Sequence, residues 1–197
     1  MVAAPTTRQP LRDARPFTVA EYHRLLDAGV LPETERLELL EGWIVESMTR
    51  KPPHDARLDQ AHEVVRERLP AGWRVRVQSA ITLEDSEPEP DLAVVVGPAS
   101  RYLERHPGPS DIALVIEVAD SSLALDRDVK ARVYARAGIA TYWIVNLVDA
   151  RVEVYTRPSG AVEVPAYGTC AIYGLEGEVP LEIAGSCSVV RVRDVLG

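Results

Sequence analysis

Lysine is nearly missing from this sequence. Lys51 and Lys130 are the only two, against twenty arginines among 22 basic residues. A guanidinium is a planar fork and an ammonium a compact point charge, so the two do not substitute for each other. A lysine kept at 130 in an arginine-using chain points to a site that wants a compact cation, with chance as the equal alternative. Cysteine is as scarce: Cys170 and Cys187 are too few, and too oddly placed, for a disulfide framework or a zinc site, which fits a reducing cytoplasm. No apolar run approaches the roughly 20 residues that cross a bilayer, so no membrane association is expected. The opening MVAAPTTRQPLRDARP lacks an apolar signal-peptide core and reads as a mobile arm over residues 1–16. No glycine-rich phosphate loop and no His/Cys grouping with zinc spacing occurs, so no organic cofactor is expected. Positive charge is short overall, with a net charge of -8 and a pI near 5.1. That counts against a broad nonspecific DNA-binding surface, since phosphate binding runs on Lys and Arg. It leaves room for a local basic groove, or for a metal ion that brings the positive charge itself.

What is present is enough to fold. Hydrophobic residues make up 46% of 197 residues, which predicts one domain over 17–197 with a β-rich C-terminal extension. Thr18 and Glu21 form a capping box at the head of a helix that Gly29 stops. Residues 33–41 read as a short helix or turn ending at Gly42, and 43–48 as a strand. Apolar residues at Leu58, Ala61, Val64, Val65 and Leu69 recur at helical spacing, predicting an amphipathic helix from His54 to about Leu69. Residues 73–83 read as one long strand, and 91–96 and 111–119 as buried strands. The stretch 97–110 is a Gly/Pro-rich loop, SSLALD opens a helix that runs to about Ala137, and 141–147 with 151–156 form a hairpin. Strands alternating with helices predict an α/β (α+β) fold, a mixed sheet flanked by helices.

The chemistry-bearing residues lie inside this pattern. Asp91 opens the run DLAVVV, Glu117 lies near the end of IALVIEVA, and Lys130 follows on the helix. If the two strands pair antiparallel, start meets end and both carboxylates converge. Mg²⁺ takes oxygen ligands, and one or two carboxylates plus a substrate phosphate suffice to hold it. Ala119 shares a sheet face with Glu117, so its small side chain leaves room for Lys130 to arrive from the helix. Each residue also has a plainer reading: Asp91 as a turn cap after Pro90, Lys130 as a solvated helix lysine. Glu117 is harder to explain away, because a carboxylate within an apolar strand is rare unless paired. Trp43 and Trp73 read as core or interface anchors. Arg127, Arg132 and Arg136 are the candidates to rim a nucleic-acid cleft.

The segments EPEPDLAVVV, LVIEVADSSLALDRDVKARVYARAGIATYWIVNL and RVEVYTRPSG resemble the Uma-two family of bacterial restriction-endonuclease-like proteins, a branch of the PD-(D/E)XK nuclease superfamily. The likeness runs from about Thr18 to Pro158 and is looser in the tail. It implies a restriction-endonuclease-like core that hydrolyses DNA phosphodiester bonds with Mg²⁺, or with Mn²⁺ in its place. Asp91 and Glu117 would hold the metal, and Lys130 would orient water or stabilise charge. The superfamily lysine usually lies two residues after the Glu; Ala119 stands there, and the lysine is displaced onto the helix. Tyr134, Gly138 and the run at 142–145 also match, while Asn146 replaces a frequent Asp and is expected to act on a turn. Glu38, Glu41, His54 and Gln78 are accessory candidates by the same likeness, each with a structural alternative. DNA is the implied partner, and a second copy of the chain is expected on separate grounds, since paired sites can cut two strands and two-fold symmetry matches a palindrome. The competing reading from another class is a homodimeric interaction or regulatory module that keeps the nuclease fold without catalysis.

Overall fold

The computed structural model describes residues 14–32, 35–47 and 51–197. Residues 1–13 of the expected arm lie outside them. Arg15 is bonded to Glu21 through both carboxylate oxygens at 2.9 Å, and the Phe17 N–H donates to the Gly42 carbonyl at 2.8 Å. Helix α1 spans Val19–Asp27 and starts with the expected capping box between Thr18 and Glu21.

The expected helix or turn before Gly42 is instead a strand. β1 (Leu37–Leu40) pairs antiparallel with β2 (Trp43–Glu46), and Leu40 faces Trp43 across the turn. Glu41 and Gly42 both have positive φ, 50° and 78°, which is the geometry of a two-residue hairpin turn whose twist matches the strands it joins. Asn or Asp normally fills its first position, so Glu41 hides the signal. The hairpin is fastened to the body by a bridge between Leu39 and Glu87.

Helix α2 (Pro52–Arg66) buries Leu58, Ala61 and Val65. Its two prolines occupy the first turn, where a missing N–H costs nothing. The expected strand 73–83 stops at Val77, the end of β3 (Trp73–Val77). Gln78 turns to φ 45° and its N–H donates to the Asp91 carbonyl. Beyond it the facing segment carries Pro88 and Pro90, which have no N–H to extend a ladder.

The main sheet is six-stranded, in the order β3, β4 (Leu92–Val96), β5 (Ile112–Ala119), β6 (Thr141–Asn146), β7 (Arg151–Pro158), β8 (Tyr167–Gly174). β5 and β6 run parallel and all other neighbours antiparallel, so the sheet is mixed, as its helix-strand alternation predicts. The parallel pair needs a crossover, and 120–140 supplies it on one face. The crossover is not one regular helix: a short turn α3 (Leu123–Leu125) leads into a π-helical turn Asp126–Lys130, then α4 (Ala131–Arg136). The Ala131 N–H reaches back five residues to the Asp126 carbonyl. On that face Val115, Ala119, Tyr134, Tyr142 and Ile144 pack together. On the other, Leu92, Val94, Ile116 and Val118 pack against α2 and a C-terminal unit, the antiparallel pair β9 (Glu178–Ile183) and β10 (Ser186–Arg191) with α5 (Val192–Leu196).

Candidate active site

Strand pairing brings the two acids together. β4 runs antiparallel to β5 with Leu92 opposite Ile116, so Asp91, one step before β4, arrives beside Glu117 and Val118. Its Oδ2 accepts from the Val118 N–H at 2.9 Å, and its own N–H donates to Glu117 Oε2 at 3.3 Å. The strands' main chain thus fixes both carboxyl groups.

Alternation along β5 points Glu117 to the face covered by the crossover. There Lys130 Nζ donates to Glu117 Oε1 at 2.9 Å and lies 3.4 Å from Glu38 Oε2. Tyr134, one helical step beyond Lys130, donates its hydroxyl to the same Glu117 oxygen at 2.7 Å. Glu38, on β1, also accepts from the Glu89 N–H at 3.2 Å. Glu38, Asp91, Glu117 and Lys130 are all buried, at 4 to 6% exposure. Lys130 is therefore not a solvated lysine, nor Glu38 a surface acid.

Electrostatics here pull in opposite directions. Burial pushes the Glu117 carboxyl up to about 8, helped by the nearby charges of Asp126, Asp91 and Glu38 and resisted by Lys130. The hydrogen bonds favour the ionised form, because Lys130 Nζ and the Asp91 N–H can only donate. Burial alone would lower the Lys130 ammonium, but Glu117, Glu38 and Asp126 outweigh it and hold it charged, above the ordinary lysine range. Burial also raises Asp126, to about 6.

The accessory candidates divide. His54, in the first turn of α2, places Nε2 3.2 Å from Asp91 Oδ2, and Gln78 donates its amide to Asp91 Oδ1 at 3.3 Å. Both therefore reach Asp91. Glu41 does not reach it: the hairpin turn aims it at Arg132, which it grips at 2.8 and 2.6 Å, with Arg136 at 3.4 Å. The arginines expected on the cleft rim are all tied to acids, Arg127 to the buried Glu153, Arg132 to Glu41, and Arg136 to Asp85 and Glu41. Asn146 acts on the turn after β6 as expected, its Oδ1 accepting from the Asp149 N–H at 3.0 Å. Trp73 packs on the core, whereas Trp43 is 43% exposed.

The cleft over these residues is lined also by Lys51, Asp120, Ser122 and Asp126. Both lysines of the chain thus face one cleft. Asp126 was not among the residues singled out in the sequence. The one hint in the sequence is that Asp126, Lys130 and Tyr134 recur every four residues, which says nothing of burial.

The donor set of Glu38, Asp91 and Glu117 is all carboxylate oxygen, the chemistry a hard divalent cation takes. The buried acids outnumber Lys130, so such an ion fits their charge. Among the described residues, no three His, Cys, Asp or Glu side chains already converge as a ligand cluster. In their place Val118 N–H, Lys130 and Tyr134 occupy the carboxylate oxygens.

No curated protein matches the chain. A crystal structure from Anabaena variabilis, described as "a putative nuclease belonging to DUF820", has a similar fold, with a TM-score of 0.66 at 20% identity over 92% of this chain and 98% of that one. A family model described as "Putative restriction endonuclease" matches residues 19–182. That match spans most of the chain, with Asp91 and Glu117 meeting on the mixed sheet and Lys130 reaching them from the crossover, and the chain belongs to the Uma2 family.

Proposed function

We propose that the protein is a divalent-metal-dependent endonuclease that hydrolyses DNA phosphodiester bonds at this cleft. The observation that carries the reading is the meeting of Asp91, Glu117 and Lys130, with Nζ 2.9 Å from Glu117 in a buried, acid-rich site. Asp91 and Glu117 would hold Mg²⁺, or Mn²⁺ in its place, with Glu38 as an outer acid. When bound, the metal supplies Lewis-acid polarisation of a phosphoryl oxygen and an acidified water.

The chain's own residues supply the rest. Tyr134 and the Asp91 N–H hold opposite oxygens of Glu117, so its carboxyl plane cannot swing. Glu38 and Glu117 fix the Lys130 ammonium at the cleft wall, where its protons can orient the attacking water or meet charge that grows on the phosphate. His54 and Gln78 orient Asp91. Because the expected rim arginines are neutralised by acids, little of the affinity for DNA would come from them. A second copy of the chain, carrying a second cleft, would allow both strands of a duplex to be cut.

The test is cleavage of supercoiled plasmid with Mg²⁺ or Mn²⁺ by the wild type, Asp91→Asn and Lys130→Ala. Metal-dependent nicking by the wild type alone is expected. Nicking that survives in folded Asp91→Asn would sink the assignment. The engaged rim arginines favour one other reading, a nuclease-fold interaction module. Wild type that neither cuts DNA nor binds a divalent cation would establish that reading instead.

A further inference from the structure

Asp126 has no place in the set of Asp91, Glu117 and Lys130, yet its environment is unusual. The residue is 2% exposed, and its Oδ2 is buried with no hydrogen-bond partner. The Ser122 hydroxyl bonds the carboxylate, yet Oδ2 stays unsatisfied, and a buried acid oxygen without a partner costs free energy. The Lys130 ammonium does not serve, because its ion pairs are with Glu38 and Glu117. The backbone explains how Asp126 comes to be there. The π-helical turn Asp126–Lys130 carries both residues inward at its two ends, and both line the acid cleft. Such turns inside helices occur often at functional sites. The buried part of the cleft therefore holds Glu38, Asp91, Glu117 and Asp126 against Lys130, an excess of negative charge that one ammonium cannot balance.

We propose that Asp126 is a further acid of the divalent-cation site, using its unpartnered Oδ2 to bind the ion or one of the ion's waters. This rests on the reading that Asp91 and Glu117 hold such an ion. It adds a ligand from the crossover to those from the sheet, so that occupation of the site would join the two elements. Asp126 would then weaken the metal-free fold and strengthen the loaded one. A structural acid would strengthen the fold whether or not metal is present.

The experiment is a calorimetric titration of the full chain with Mn²⁺, alongside thermal melting without and with Mn²⁺. Wild type, Asp126→Asn and Asp91→Asn are compared. Asp126→Asn is expected to bind Mn²⁺ at least tenfold more weakly, to melt without metal at or above the wild-type temperature, and to lose most of the metal-induced rise. Wild-type Mn²⁺ affinity in Asp126→Asn, with binding lost in Asp91→Asn, overturns the role of Asp126 and leaves the cation reading standing. A metal-free melting temperature lowered by Asp126→Asn at unchanged affinity assigns it a structural role and also overturns the proposal. Absence of Mn²⁺ binding by the wild type overturns both. Asp126→Glu, which keeps the charge and moves the oxygens by one methylene, gives the same comparison if the asparagine variant does not fold.

Discussion

Lys130 is expected to be the counter-ion on which this part of the fold depends, and a double-mutant cycle with Glu117 measures it. In Lys130→Met the stem is replaced by apolar volume and the ammonium is lost. Glu117 and Glu38 then face each other without a cation in a site where both are about 95% buried. Breaking a buried pair by removing one partner costs about 3–5 kcal/mol. A chain of this length moves roughly 2–4 °C per kcal/mol, so the melting temperature should fall by about 6–20 °C. In Glu117→Gln the amide oxygen can accept from the Asp91 N–H while the amide nitrogen turns toward Tyr134, whose hydroxyl can accept. That arrangement leaves Lys130 facing a donor, so this variant also loses stability, by less, because Glu38 still holds the ammonium. The double variant removes the charge on both sides and should recover much of the sum, with a coupling within the roughly 0.5–3 kcal/mol seen for contacting residues. The assay is denaturant unfolding at pH 9, above the value near 8 to which burial raises Glu117, so that the pair is charged in the wild type. Losing Lys130 raises Glu117 further, and proton uptake then holds the loss in Lys130→Met to the lower end of about 3–5 kcal/mol. A loss below about 1 kcal/mol in Lys130→Met, or simple additivity in the double variant, would refute a buried ion pair between these residues.

Metal-free stability should fall as pH rises from about 4.5 to about 8. Over that window folded Glu117, raised to about 8, keeps a proton that the unfolded chain has lost, and Asp126, raised to about 6, acts likewise over the lower part. On the acid side the sign reverses: Glu153, held near 2 by Arg127, Asn146 and Arg151 against its burial, contributes stability that disappears as pH drops from about 4.5 toward 2. Chemical unfolding across pH 3–9 checks both arms, and a flat profile from 5 to 8 would contradict the first. Gly42→Ala should cost about 1–3 kcal/mol for its left-handed backbone alone, and its new Cβ would lie 2.3 Å from the Pro16 Cβ. A melting temperature within 1 °C of wild type, on the scale of about 2–4 °C per kcal/mol, would contradict both the left-handed turn at Gly42 and the docking of Pro16 against it. Saturating Mn²⁺ should raise the melting temperature by an amount that grows with the logarithm of its concentration, equivalent to about 2.7 kcal/mol at a hundred times the dissociation constant. A melting point indifferent to Mn²⁺ would contradict a metal site formed only in the folded state.

Much of this protein could be read along the chain, because local signals suffice wherever an element is defined by its own residues. The capping box at Thr18, the apolar spacing of α2, and the continuous apolar runs of β4 and β5 are of this kind, and each appears where expected. The sequence also marked Glu117 as exceptional, since a carboxylate amid isoleucine and valine must find a partner or remain neutral. Expectations failed where a neighbour decides the local shape. Residues 37–40 form a strand because β2 and the Glu87 main chain offer hydrogen bonds there. β3 ends at Val77 because the segment opposite it is proline-bound.

For the site, residue types in the sequence determined which side chains carry the chemistry, while only the tertiary structure decided what each one faces. Antiparallel pairing of β4 with β5 sets Asp91 against Glu117 across 26 residues of chain. The hairpin β1–β2 delivers Glu38 to Lys130 across 92 residues and sends Glu41, three residues later, to arginines outside the cleft. Asp126 escaped notice for the same reason. An aspartate on a helix is ordinary by sequence, and only the π-helical turn and the packing of the crossover on the sheet leave its oxygen buried without a partner. Charge and hydrogen-bonding capacity belong to residues and can be read one at a time. Burial and mutual distance belong to pairs far apart in the chain, and they exist only once the chain has closed on itself.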